Sequence, residues 1–141
     1  MKLNSAIYIL LSRNLLQLER NLDQLLRESD LTKTQFAVME ALYHKGTLSQ
    51  RDLHTLILTT AGNLPVVIQN LKKEKLIIEK VDKKDKRRKH LSLSKKGIEV
   101  MEEILPKHMA RIDEAYSVLD SNEKRELYRL LRKFGKEYDG S

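Results

Sequence analysis

"VDKKDKRRKHLSLSKKG", residues Val81–Gly97, holds eight Lys or Arg against two Asp, a net charge of +6. The whole chain of 141 residues carries +7, so everything outside this stretch contributes +1. The charge is local: residues 1–30 sum to 0, 31–80 to +3 and 98–141 to −2. Two short runs flank the basic core. Leu76–Val81 ("LIIEKV") is rich in β-branched residues and continues no helical stripe. His90–Ser94 ("HLSLS") alternates polar and apolar with the period of two of a strand. A basic segment joining two strands is a hairpin. One sign of charge focused between balanced ends is the pattern of a polyanion contact, where an isolated charge run elsewhere would be a solvated loop.

The segments upstream are helical. Leu3, Ile7, Leu11, Leu15, Leu18, Leu22 and Leu25 recur at steps of three and four, one stripe about six turns long. Leu10, Leu16 and Leu26 widen it, and so broad an apolar face on a terminal helix needs much cover, which a partner chain is one way to supply. Thr32-Lys33-Thr34-Gln35 then reads as a capping box, with Leu31 and Phe36 at staple spacing around it. The helix it opens carries Phe36, Met39, Leu42 and Tyr43 and stops near Gly46. The same device repeats at Ser49-Gln50-Arg51-Asp52, ahead of a short helix with Leu53, Leu56 and Ile57. After the polar connector Thr59–Asn63, Leu64, Val67, Ile68 and Leu71 mark a third helix to about Lys75. Downstream of the hairpin, Ser94 can cap a long helix through Ile98, Met101, Leu105, Ile112, Tyr116 and Leu119, with a kink expected at Pro106. Asp120-Ser121-Asn122-Glu123 caps a last helix with Leu127, Leu130, Leu131 and Phe134.

Three short helices followed by a two-stranded wing make a winged helix-turn-helix. The predicted fold is therefore mainly α: a winged helix-turn-helix over residues 31–97, flanked by long helices at 1–30 and 98–141. A third helix of this kind enters a major groove of double-stranded DNA, and a basic hairpin beside it reaches an adjacent minor groove or phosphates. The charge sits in the hairpin because the hairpin approaches the phosphate backbone.

At this point the sequence resembles the MarR (multiple antibiotic resistance regulator) family of transcription factors. The resemblance lies in "LTKTQFAVMEALYHKGTLSQRDL", "AGNLPVVIQNLKKEKLI" and "DKKDKRRKHLSLSKKG". Asp82, Asp85, Arg87, Leu93, Ser94, Lys96 and Gly97 fall at the spacing of the family's wing. It implies an obligate homodimer on a palindromic operator, most often a repressor, intertwined through its first and last helices, so that 1–30 and 98–141 are dimerisation helices. It also implies release by a small aromatic or phenolic ligand near the junction of dimerisation helices and DNA-binding lobe, which here suggests Tyr8, Arg13, Met39 and Tyr43. Thiol oxidation is excluded as a signal because the chain has no Cys.

Centring the core face of the third helix on Leu64, Val67, Ile68 and Leu71 puts Thr59, Gly62, Val66, Gln69 and Lys73 opposite, flanked by Asn63 and Asn70, and Thr60 in the connector ahead of it is a further DNA-contact candidate. Gln and Asn can pair bidentately with adenine and Val can meet a thymine methyl. With no Arg on this helix, an A·T-rich site is expected. Pro65 departs from the family: it forfeits a backbone bond if Thr60 is the cap, and lies in the first turn if Asn63 is. In the wing, Arg87 matches the family's minor-groove arginine and Asp85 would orient it. Lys83, Lys84, Lys86, Arg88 and Lys89 are phosphate candidates, as is the N–H of Thr34 at a helix start.

Catalysis is not expected. His44, His54, His90 and His108 are scattered, and no H-E-x-x-H, phosphate loop or nucleophile elbow occurs. No cofactor or metal is expected; His44, His108 and Glu40 are the set that a metal-sensing variant would use. The longest apolar run, Ala6–Leu11, is far short of a membrane span and a poor signal peptide, so a cytoplasmic protein is expected. The competing reading is an architectural, nucleoid-type DNA binder that uses the same wing with little base readout.

Overall fold

The computed structural model describes residues 2–57 and 63–135. Contacts divide the chain into a first unit, residues 1–108, and a second, residues 109–141.

Helix α1 (Leu3–Glu28) follows the predicted leucine stripe, yet only Leu25 and Leu26 are buried. Leu3, Ile7, Leu10, Leu11, Leu15 and Leu16 stand exposed. The helix closes on a left-handed Asp30 (φ 55°), with Leu31 N–H donating to the Leu26 carbonyl and Asp30 N–H to that of Arg27. Helix α2 (Lys33–Lys45) begins at the predicted capping box: the Gln35 N–H donates to Thr32 Oγ1 at 3.1 Å and the Thr32 N–H to Gln35 Oε1 at 3.0 Å. Leu31 and Phe36, the staple pair, are both buried. Gly46, at φ 82°, ends it, a conformation that costs glycine least.

The sheet has three antiparallel strands, where the sequence predicts two. Strand β1 (Leu48–Ser49) precedes helix α3 (Gln50–Leu56), and β2 (Ile77–Val81) and β3 (Lys89–Leu93) form the hairpin, in the order β1-β3-β2. Leu48 pairs with Leu91 and Ser49 with His90. A two-residue strand shows no alternation in sequence, which at this point offers only the cap at Ser49. Ser49 still caps α3, its Oγ accepting from Asp52 N–H at 3.0 Å. Leu53 of α3 is buried; Leu56, expected on the same face, is exposed.

Helix α4 (Leu64–Lys73) turns Leu64, Ile68 and Leu71 into a core shared with Met39 of α2, Leu91 of β3 and Met101 of the next helix, all at most 2% exposed. Each fully buried Leu contributes about 1.5–3 kcal/mol. Helix α5 (Lys95–Tyr116) opens at Ser94, whose Oγ accepts from the Gly97 N–H, and runs through Pro106. It ends at Tyr116, so Leu119 lies past the helix it was expected to extend, in a turn closed by Leu119 N–H to the Tyr116 carbonyl. In the second unit, helix α6 (Ser121–Gly135) starts where predicted: Asp120 and Glu123 each accept from the other's N–H at 2.9 Å. No residue of α6 is buried, and Tyr128, Leu130, Leu131 and Phe134 are exposed.

Candidate nucleic-acid interface

The amphipathic spacing of α4 decides which side chains leave the core. With Leu64, Ile68 and Leu71 inward, Val66, Gln69, Asn70 and Lys73 are all exposed, Val66 to 58%. An isolated exposed Val costs a little in water and suits an apolar group such as a thymine methyl. The helix starts late. Asn63 precedes its first residue without a side-chain cap bond, and Pro65 is its second residue, where no intrahelical N–H bond is due. Of the two registers open to the sequence, the one with Asn63 at the helix start is the one formed. Thr59, Thr60 and Gly62 lie outside the described residues.

The hairpin is shaped by its own acids. The Asp82 N–H donates to the Arg88 carbonyl at 2.9 Å, and the Arg88 N–H to the Asp85 carbonyl at 3.0 Å. Asp85 Oδ1 accepts from both the N–H (3.0 Å) and the Nε (3.2 Å) of Arg87. Arg87 is thus held by one edge of its guanidinium while the side chain remains 92% exposed. Asp82 works the same way one turn earlier: it accepts from Lys84 N–H at 2.8 Å through Oδ1 and meets His90 Nε2 at 3.2 Å through Oδ2. The Lys84 N–H first and the His90 ring second hold its carboxyl below the ordinary aspartate range. Lys83, Lys84, Lys86, Arg88 and Lys89 are exposed around this scaffold, and Thr34 lies half-buried in the first turn of α2. Basic side chains on a short, internally tied loop are the arrangement that meets phosphates, and a fixed Arg is one that enters a narrow groove.

Several contacts around the site escaped sequence reasoning. Lys72 of α4 bonds Glu79 of β2 at 3.1 Å. Ser94 Oγ donates to the Lys75 carbonyl and Lys96 Nζ to the Glu74 carbonyl. The motif Leu93-Ser94-x-Lys96-Gly97 therefore builds the corner between α4, β2 and α5. Its spacing was visible; its partners, up to 22 positions away, were not.

The four ligand candidates are distributed unevenly. Met39 is fully buried in the first unit's core, Tyr8 is 72% exposed on α1, Arg13 is exposed on the same helix, and Tyr43 is 38% exposed with its ring edge against His44. The metal set is not assembled: among the described residues no group of three His, Asp or Glu could hold an ion, and His108 instead meets Phe36 edge-on at 5.8 Å. Among the described residues no helix is long and apolar enough to cross a membrane.

Residues 20–104 match the family described as transcriptional regulator SarA/Rot. The chain is 32% identical over 129 residues to the HTH-type transcriptional regulator MhqR of Bacillus subtilis (strain 168), covering 92% of this chain and 89% of that one. Among solved structures it is similar to Bordetella bronchiseptica BpsR, whose DNA binding is regulated by 6-hydroxynicotinic acid, at 27% identity and a TM-score of 0.78, over 92% of this chain and 98% of that one. A putative MarR-like transcription regulator from Bacillus cereus shares the fold, with a TM-score of 0.82 at 24% identity over 95% of this chain and 96% of that one.

Proposed function

The chain belongs to the SarA/Rot family of transcriptional regulators, winged-helix proteins of the MarR type, and from that premise we propose that it is a homodimeric, sequence-specific repressor of cytoplasmic location. It is a regulator and not an enzyme. In this reading two copies bind a palindromic operator in double-stranded DNA. Val66, Gln69 and Asn70 read base edges of an A·T-rich site, with Asn63, Thr59, Thr60, Gly62 and Lys73 around them. Arg87, oriented by Asp85, enters the minor groove, while Thr34 and the wing's Lys83, Lys84, Lys86, Arg88 and Lys89 hold phosphates.

The observation that carries this reading is the pairing of two unlike surfaces on one scaffold: an α4 face of small and amide side chains, and a hairpin whose one oriented arginine is 92% exposed among lysines. Charge alone serves non-selective binding; the amide face and the fixed fork serve selection. The second copy covers the apolar residues that α1 and α6 leave in water. Release by a small aromatic or phenolic ligand is supported by the regulated DNA binding of BpsR, and Tyr8, Arg13 and Tyr43 offer rings and a cation to such a molecule.

The test is selection of bound duplexes from a random pool, followed by competition at fixed salt. The recovered site should be an inverted repeat and beat random DNA by about 10³ or more. Recovery of no common sequence, with equal affinity for all duplexes, would replace this reading with the architectural one.

A further inference from the structure

Glu79 sits at the root of the hairpin, on the strand face that also carries buried Ile77, and directly across the ladder from buried Leu91. Its carboxylate accepts from Lys72 Nζ of α4 at 3.1 Å and lies 3.9 Å from Lys89 Nζ of β3. Glu79 and Lys72 have side chains 22% and 29% exposed, which sets this pair apart from the outer ion pairs such as Lys107–Glu103, at 56% and 74%. Lys72 and Lys73 are neighbours at the end of α4, but they part ways. Lys73 stays exposed beside Gln69 and Asn70, while Lys72 turns back onto the sheet.

One carboxylate therefore joins the helix that presents Val66 and Gln69 to the hairpin that presents Arg87. Two elements that must enter neighbouring grooves together lose affinity if their mutual angle has to be ordered at the moment of binding. A lysine released from Glu79 would add a phosphate contact that carries no sequence information.

We propose that Glu79 is a positioning residue that fixes the hairpin to α4 and withholds Lys72 from phosphate, so that α4 and Arg87 select the site without added non-selective charge. The proposal rests on the DNA-binding reading above.

The experiment uses the full chain as wild type, Glu79→Gln, Lys72→Gln, the double variant, and Glu99→Gln, which removes an equal charge from an exposed position on α5. The probes are a random-sequence duplex of mixed composition and the duplex most enriched from a random pool by the wild type. Affinity is followed between about 50 and 200 mM salt, where each additional phosphate neutralised steepens the log–log slope by about 0.9. Glu79→Gln should steepen the slope on random DNA by about one ion and lower the ratio of selected to random affinity about tenfold. Lys72→Gln alone should leave the slope unchanged, the double variant should return it to the wild-type value, and Glu99→Gln should leave it alone.

An unchanged slope for Glu79→Gln overturns the proposal. So does a slope reduced by about one ion in Lys72→Gln, because Lys72 would then already be on phosphate. The Lys72→Gln arm decides the matter if Glu79→Gln does not fold. A wild type that prefers no duplex defeats site selection while the slopes on random DNA remain readable; a wild type that binds neither duplex defeats both.

Discussion

The ammonium of Lys96 donates to the main-chain carbonyl of Glu74 at 3.1 Å, across 22 positions of sequence. Glu74 is the C-terminal cap of α4, and the next carbonyls are claimed from the same side. Ser94 Oγ donates to Lys75 O at 2.6 Å, and the Ser94 N–H donates to Leu76 O at 3.0 Å. The helix closes with the paired bonds of a Schellman turn, Leu76 N–H to Leu71 O and Lys75 N–H to Lys72 O. The carbonyls at and just past the end of α4 are thus satisfied by Ser94, ahead of α5, and by Lys96 in its first turn, which ties the end of α4 to the start of α5.

Gly97 is part of that joint. A Cβ there would stand 2.1 Å from the Leu76 carbonyl oxygen, and main chain cannot yield as a side chain can. Gly97→Ala should lower stability by about 1–3 kcal/mol in urea unfolding, as overpacking does. Lys75, by contrast, takes the left-handed position at φ 62° without being glycine. Lys75→Gly should raise stability by about 1 kcal/mol, because the left-handed conformation costs an L-residue that much. A neutral Gly97→Ala would mean that the corner is looser in solution than the geometry requires.

Acid should act at the cap of α3. The Ser49 N–H first, and the Ser49 hydroxyl second, hold the Asp52 carboxyl below the ordinary aspartate range. A carboxyl lowered by folding stabilises the native state above its unfolded pKa of about 4, and that contribution disappears as pH falls through the lower native value. Asp52→Asn should therefore be less stable than wild type at neutral pH, and the two should converge in denaturant titrations once the pH has fallen through the lowered native value. A gap that persists at low pH would assign the loss to packing instead of charge.

Much of this was open to sequence reading because it is local. The boxes at Thr32–Gln35, Ser49–Asp52 and Asp120–Glu123, and the stop at Gly46, each need only a few adjacent residues, and all formed. The exposure of Val66, Gln69, Asn70 and Lys73 on α4 agrees with the spacing of Leu64, Val67, Ile68 and Leu71, of which Val67 is half-buried and the others buried. What the sequence hid depends on contacts between elements. β1 is two residues that become a strand only beside β3. Glu79 reads as one more strand residue until Lys72 is found against it. Met39 is a ligand candidate only through the family resemblance, and its burial in the core depends on contacts that no local pattern shows.

The apolar residues of α6 predict assembly. Leu131 is exposed, as are Tyr128, Leu130 and Phe134, on a helix with no buried residue. Leu127→Asp together with Leu131→Asp should give a monomer or an unfolded chain by sedimentation, with operator binding lost. A dimeric double variant that binds DNA like the wild type would remove α6 from the interface.

On α4, Gln69 and Lys73 are both exposed but should divide the work. Lys73→Ala should weaken all duplexes alike and flatten the salt slope by about one ion. Gln69→Ala should cost about 1–3 kcal/mol on the selected duplex and little on random DNA. Equal losses on both duplexes would take Gln69 out of base reading.

The wing offers the sharpest separation of charge from geometry. Arg87 and its neighbouring lysines carry the same charge, but only Arg87 has its guanidinium edge held by Asp85, at 3.2 Å from Nε. A fork aimed in one direction suits a narrow, electronegative A·T-rich groove, whereas a flexible ammonium suits phosphate at any sequence. Arg87→Lys preserves charge, so a purely electrostatic wing would scarcely respond to it. The held fork predicts instead that Arg87→Lys loses about tenfold or more of the preference for the selected duplex, the scale of one good base or groove contact. Lys84→Arg should be nearly silent, because what Lys84 gives to the turn is its N–H on Asp82, which any side chain retains. Asp85→Ala removes the hold on Arg87 while adding positive charge. It should lower selectivity as Arg87→Lys does, even as binding to random DNA tightens. The measurement is competition of selected against random duplex at one salt concentration for the three variants. If Asp85→Ala tightens both duplexes by the same factor, Asp85 sets no direction for Arg87, and the hairpin acts through charge alone.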